Sequence, residues 1–246
     1  METGKFRMFK SLYLKDLREV RTEILVVAAV TIILIGWAYL KTEGAARGII
    51  VAPMSFALGL AGFLPIITSF RLLGREWSNS TIYMMMSLPV SGSMMLGSKL
   101  AVLLTEYLAC TLIVLLSGGI ALLTSFPDLW QQFVSNSSYI QLAVATYIVS
   151  ITSIFLIFCN SFVSQVTGRL FKKGSGLITA LVFLGVFITV GKLMPDTTTL
   201  LTRSQLLESI FMQDIIAILT KGAIDLVFAA LLFIAAVIIW ERRIEL

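Results

Sequence analysis

Residues 71–99, RLLGREWSNSTIYMMMSLPVSGSMMLGSK, decide how the rest of the chain is read. They join two long apolar segments. Arg71, Arg75 and Glu76 stand near one end, Lys99 stands at the other, and Leu88-Pro89 interrupts the middle. Four charges are too many for a stretch lying in the bilayer core. The run Tyr83, Met84, Met85, Met86 is too apolar for a plain solvated loop. A connector at a membrane surface, held by another protein, satisfies both constraints.

The composition outside this stretch agrees. Hydrophobic residues make up 58% of the 246, charged residues 13%, and the mean hydropathy is +0.95. A soluble domain of this length carries roughly 25% charged residues, so an all-α integral membrane protein is expected. The net charge of +5 gathers near membrane ends and argues for topology, with no nucleic-acid partner implied. The chain has no histidine, which removes His-based zinc sites, Ser/His/Asp triads and histidine general bases together. Cys110 and Cys159 both fall inside apolar segments and read as small buried hydrophobes, with no metal site implied.

Crossing the hydrocarbon layer takes about 20 mostly apolar residues. Six segments qualify, at about 24–40, 49–70, 100–124, 139–162, 176–190 and 222–240, within one transmembrane domain over 1–246. Counting cations then orients them. The N-terminal arm holds six (Lys5, Arg7, Lys10, Lys15, Arg18, Arg21), and the second connector holds Arg71, Arg75 and Lys99. The fourth holds Arg169, Lys172 and Lys173, and the C-terminus holds Arg242 and Arg243; only 5 of the 19 lie elsewhere. The excess of Lys and Arg on cytoplasmic segments predicts that both termini and the second and fourth connectors face the cytoplasm. Gly44-Ala45-Ala46 offers a signal-peptide reading of the first segment. Its charged lead and apolar run both exceed what such a peptide needs, so an uncleaved first span is preferred.

Within residues 1–23, Phe6, Phe9, Tyr13 and Leu17 share one helical face, away from Lys10, Arg18 and Arg21. That pattern predicts an amphipathic elbow helix in the headgroup layer. In the second connector, Pro89 disfavours a helical Leu88, so a helix from Ser78 or Asn79 should stop there. Its apolar face (Ile82, Met85, Met86) suits either a partner's groove or the lipid interface. Gly92 to Lys99 imitates a phosphate loop, but Ser98 and Lys99 stand in the wrong order and no strand precedes them. The chain therefore has no nucleotide site, and no enzymatic activity of its own is expected.

The third connector, 125–138, lacks positive charge and offers Phe126-Pro127 and Trp130 as an outer turn with an interfacial anchor. The fifth, 191–221, opens with Met194-Pro195-Asp196. It then shows helical spacing at Leu206, Ile210, Ile215 and Ile218, interrupted by Arg203, Glu208 and Asp214. Short helices at the outer interface are expected there. Glu106 and Asp225 are intramembrane carboxylates, for which structural pairing and ion coupling are both open. Gly118-Gly119 suits close helix packing.

Glu76-Trp77-Ser78-Asn79-Ser80-Thr81, then Ser87-Leu88-Pro89-Val90-Ser91, then Gly97 and Lys99 resemble the connector of ABC-2 type transporter permeases. That connector commonly reads Glu, a few residues, Gly-Thr, then Leu-Pro-Val/Ile-Ser-Arg, and a Gly-Lys at the next helix. Here Ser80 replaces the usual Gly, Gly92 the usual basic residue, and Ser98 separates Gly97 from Lys99. Six spans, the basic arm and the C-terminal Glu241-Arg242-Arg243 also look like the family. The resemblance implies half of a type V exporter: two such permeases, the same or sister chains, each docked to a separate ATP-binding cassette subunit that holds ATP and Mg. It implies a coupling helix over 75–91, with Arg75, Glu76, Thr81, Ile82, Met85, Met86, Leu88 and Pro89 as the coupling residues. The N-terminal arm becomes a connecting helix, the fifth connector re-entrant helices, and spans two and five line the path. This chain would bind no cofactor itself, and its location would be the cell membrane of a prokaryote.

The leading function is export of a hydrophobic or amphipathic solute (peptide antibiotic, drug or lipid) driven by the partner's ATP. The alternative is a self-sufficient secondary transporter or channel using Glu106 or Asp225 as the ion-coupling carboxylate. A membrane enzyme is disfavoured by the missing histidine and the missing Asp clusters.

Overall fold

A computed structural model describes residues 2–41, 51–78, 91–125, 131, 133–171, 174–202 and 210–243. Among them are six helices long and apolar enough to cross a membrane, and no strand. They are α1 (Glu2–Lys41), α2 (Val51–Ser78), α3 (Gly92–Ser125), α4 (Ser137–Arg169), α5 (Ser175–Thr202) and α6 (Ile210–Arg243). The all-α membrane fold expected from the hydropathy pattern is the one found.

Every helix overruns its apolar segment. The shortest has 28 residues and the longest 40, or about 42 to 60 Å at 1.5 Å per residue, against a hydrocarbon layer of about 30 Å. Once nucleated, a helix gains one bond per added residue, so a charge that ends the apolar run need not end the helix. The fifth connector shows this. Separate short helices were expected in 191–221, but α5 runs to Thr202 and α6 starts at Ile210, with 203–209 outside the described residues. Likewise residues 92–99 are the first turns of α3, a continuous helix and not a phosphate-binding loop. Ser91 caps it: its carbonyl accepts from Met94 and Met95 N–H at 3.1 Å, and its hydroxyl stands 3.4 Å from Met94 N.

The N-terminal arm is helical from Glu2 and continues without a break into the first span as α1. The buried positions explain the continuity. Asp16, Val20, Val27, Thr31, Ile35 and Ala38 are all buried, spaced by three, four or seven, so one stripe crosses the arm–span boundary in register.

The chain divides into two compact units. The first comprises Met1–Thr68 with Ala101–Ser137. Its core packs Val27 of α1, Ala57 and Ala61 of α2, and Cys110 and Val114 of α3. The small side chains let the helices approach closely, as lipid-embedded helices require. A second cluster joins Ile35 and Ala38 to Ala121. Tyr13 Oη lies 3.0 Å from Thr105 Oγ1, so the arm is tied to α3. Pro65 sits inside α2, where it removes one backbone donor. The second unit comprises Ser69–Leu100 with Ser138–Leu246, and is centred on Leu156, Cys159, Val190 and Ala229. Both cysteines are buried and unbridged, each in its own unit's core. Large apolar side chains such as Ile33, Phe63, Leu116, Leu177, Val227 and Leu231 are exposed, as lipid-facing positions would be.

Candidate functional site

The connector's two ends are anchored within the second unit. Leu72, Leu73 and Glu76 at the end of α2 are buried, and so are Leu96, Ser98 and Lys99 near the start of α3. Lys99 Nζ donates to Glu76 Oε1 at 2.8 Å, with the ammonium side chain only 1% exposed. In a low-dielectric interior two opposite charges this close attract strongly, and either one left alone is costly. Beside them the Trp77 ring meets Trp240 edge-on, with centroids 5.7 Å apart, and carries the Arg169 guanidinium over its face at 5.4 Å. Gly92 packs on the same indole: a Cβ there would lie 2.6 Å from Trp240 Cδ1. The ends of α2, α4 and α6 and the start of α3 are thus brought together by two aromatic rings, a cation and one buried ion pair.

A polar zipper continues from this cluster between α2 and α4. Ser69 Oγ donates to Ser161 Oγ at 2.8 Å, and Gln165 Nε2 donates to the Ser69 carbonyl at 3.1 Å. Ser161 and Gln165 are one turn apart on α4, so a single helix face supplies both.

Of the coupling residues expected from the sequence, Arg75 is exposed and Glu76 is buried against Lys99. Thr81, Ile82, Met85, Met86, Leu88 and Pro89 lie outside the described residues. Ser78 ends α2, so no helix starts there, and Asn79 also lies outside. Trp240, Ser69 and Gln165 were not singled out from the sequence, and Trp77 and Arg169 entered only through the connector motif and the cation count. Gln165 was findable as an uncharged polar residue just past an apolar span, on one face with Ser161. The aromatic pair was not, because its members are far apart along the chain.

The two intramembrane carboxylates are set differently. In the first unit Glu106 is fully buried, and its Oε1 is 3.1 Å from Thr68 Oγ1. The same hydroxyl also contacts the Glu23 carboxylate and, at 3.0 Å, the Leu64 carbonyl. In the second unit Asp225 Oδ2 accepts from Ser153 Oγ at 2.5 Å and from Lys221 Nζ at 3.0 Å. Lys221 Nζ also donates to Ser153 Oγ at 2.9 Å, closing a three-membered ring of bonds. Close approach of α6 to α4 makes this possible: a Cβ on Gly222 would stand 3.2 Å from Val149 Cγ2 and 3.3 Å from Thr152 Oγ1. Next to the ring is a cavity of about 290 Å³ between α4, α5 and α6. Leu156, Ile157, Val186, Phe187 and Val190 form its apolar wall, and Asn160 and Asp225 supply polar atoms.

A family model described as ABC-2 family transporter protein matches residues 19–173. The chain belongs to that family. The match runs from α1 through α4 and contains the anchored connector. No curated protein and no solved structure matches the chain. The ABC-2 assignment makes the molecule a multi-pass membrane permease.

Proposed function

We propose that this permease is the membrane subunit of an ATP-driven exporter, moving a hydrophobic or amphipathic solute outward. ATP and Mg are held by a separate ATP-binding cassette subunit, and a second permease completes the assembly. In this reading both termini and residues 71–99 face the cytoplasm of a prokaryotic cell, and the connector receives the partner's motion. The chain is a transport subunit and no enzyme. One observation carries the reading: the connector's ends are fixed by the buried Glu76–Lys99 pair and by the Trp77–Trp240–Arg169 cluster. A loop that only spans two helices needs no such anchoring. A lever does, because displacement at its tip must reach the helices without loss, and bistable packed helices then shift as near-rigid bodies. Glu76 thus serves coupling by fixing the lever's root, while Arg75 and the apolar residues over 81–89 meet the partner.

The test is co-purification of the permease with its ATP-binding subunit from a common expression host, followed by ATPase assay in lipid. Met85→Pro should abolish stimulation of the ATPase by the permease. Glu76→Lys, which sets two cations against each other at the root, should weaken it severalfold. Unchanged assembly and unchanged stimulation in both variants would sink the coupling role.

A further inference from the structure

The cavity between α4, α5 and α6 is short of hydrogen-bond donors, and that deficit defines what it can hold. Asp225 is 1% exposed and Asn160 2%. Asp225 Oδ2 takes the donors of Ser153 and Lys221, which leaves Oδ1 buried with no hydrogen-bond partner among the described residues. Asn160 Nδ2 donates to the Phe183 carbonyl at 3.1 Å, which turns its Oδ1 the other way, and that atom too is buried without a partner among the described residues. A buried acceptor with no donor is costly, because it has lost its water partner and gained nothing in return. Both acceptors belong to residues that line the cavity, and together they give it a polar part short of donors. The rest of the lining is mostly aliphatic and aromatic, and Phe187 and Gly191 within it are exposed. Lys221 already balances the Asp225 charge, so the vacancy is for a donating N–H or O–H and not for net positive charge.

We propose that this cavity binds one small amphiphile: an apolar body lying against Leu156, Val186 and Phe187, with a hydrogen-bond-donating head on Asn160 Oδ1 and Asp225 Oδ1. The inference rests on the permease reading only in naming the ligand as transported solute or bound lipid; the binding chemistry stands apart from it. At about 290 Å³ the cavity is at the small end for ligand sites, enough for a short acyl or alkyl chain and its head.

The test uses the purified chain in phosphatidylcholine nanodiscs, whose head group has no N–H donor. Four probes are titrated by equilibrium dialysis: 1-octanol and 1-octylamine, which donate, and methyl octyl ether and octyltrimethylammonium, which do not. Specific binding is what Val186→Trp, which fills the cavity, removes. The donating pair should bind with Kd about tenfold below the other pair, since an analogue without the donor leaves buried acceptors unmet. Asn160→Leu, which keeps the branched four-atom side chain but removes one of the two acceptors, should shrink that difference severalfold and leave the non-donating probes unchanged. Equal binding of all four probes to the wild type overturns the proposal, as does wild-type binding by a folded Val186→Trp. If Val186→Trp does not fold, the Asn160→Leu comparison on the wild-type background decides alone. Adding phosphatidylethanolamine separates the sources: if it displaces octylamine the natural donor is a lipid head group, and if it does not the donor is a free solute. ATPase stimulation by the same variants reports the permease reading independently, because probe binding needs no partner subunit.

Discussion

Lys99 is among the largest fully buried side chains of the described chain, and its ammonium lies against the Glu76 carboxylate. Removing one member of a buried pair leaves a charge in a poor solvent, whereas removing both leaves only a packing change. Lys99→Met should therefore destabilise the second unit by about 3–5 kcal/mol, and Glu76→Gln with Lys99→Met should recover most of it. Thermal unfolding in lipid, read as a double-mutant cycle, checks this; equal losses in the single and double variants would remove the pair's significance. Both residues lie in the stretch that first marked the chain as unusual, yet their partnership was not legible there. They are 23 positions apart, one near the end of α2 and the other near the start of α3. Glu106 and Asp225 were legible as costly intramembrane carboxylates, but their partners Thr68, Ser153 and Lys221 could not be read from spacing alone, apart from the i,i+4 relation of Lys221 to Asp225.

At the scale of elements, the turn from α4 into α5 sets a sharper constraint than any span. The Leu170 and Phe171 N–H groups donate back to the Thr167 and Gly168 carbonyls at 3.1 and 3.3 Å. Gly174 then takes φ = 75° before its carbonyl accepts the first bond of α5 from Ile178, at 3.0 Å. A Cβ on Gly168 would fall 2.0 Å from Thr179 Oγ1 and 2.9 Å from the Ser175 carbonyl, and backbone cannot step aside as a side chain can. Gly118 offers the contrast: its Cβ would meet the flexible end of Met54, at 2.8 Å from Sδ and Cε. Gly168→Ala should cost about 2–3 kcal/mol and Gly118→Ala less than about 1. Measured melting temperatures in one lipid system decide it, and equal costs would contradict the geometry. Hydropathy located all six helices because burial in lipid is read from composition alone. It misjudged their ends, most at 191–221, because charge stops a span without stopping a helix.

Across the whole molecule the exposed surface of the spans is apolar, and charge collects beyond their ends. The cation count predicts which side each connector occupies. Cys110 and Cys159 are buried, so their reactivity toward a membrane-impermeant maleimide should be low, and a single added thiol reports its own side. Met85→Cys should label only in inside-out vesicles and Asp128→Cys only in right-side-out ones. Labelling of Met85→Cys from outside would invert the topology, and with it the coupling role of the connector.

Of the chain's four tryptophans, two meet at the connector's root, edge to face, with the Arg169 cation against one of them. Indole emission responds to neighbouring charge and ring geometry. The molecule therefore carries its own optical gauge: any movement transmitted through the connector changes the light emitted by the residues that hold it, with no label attached.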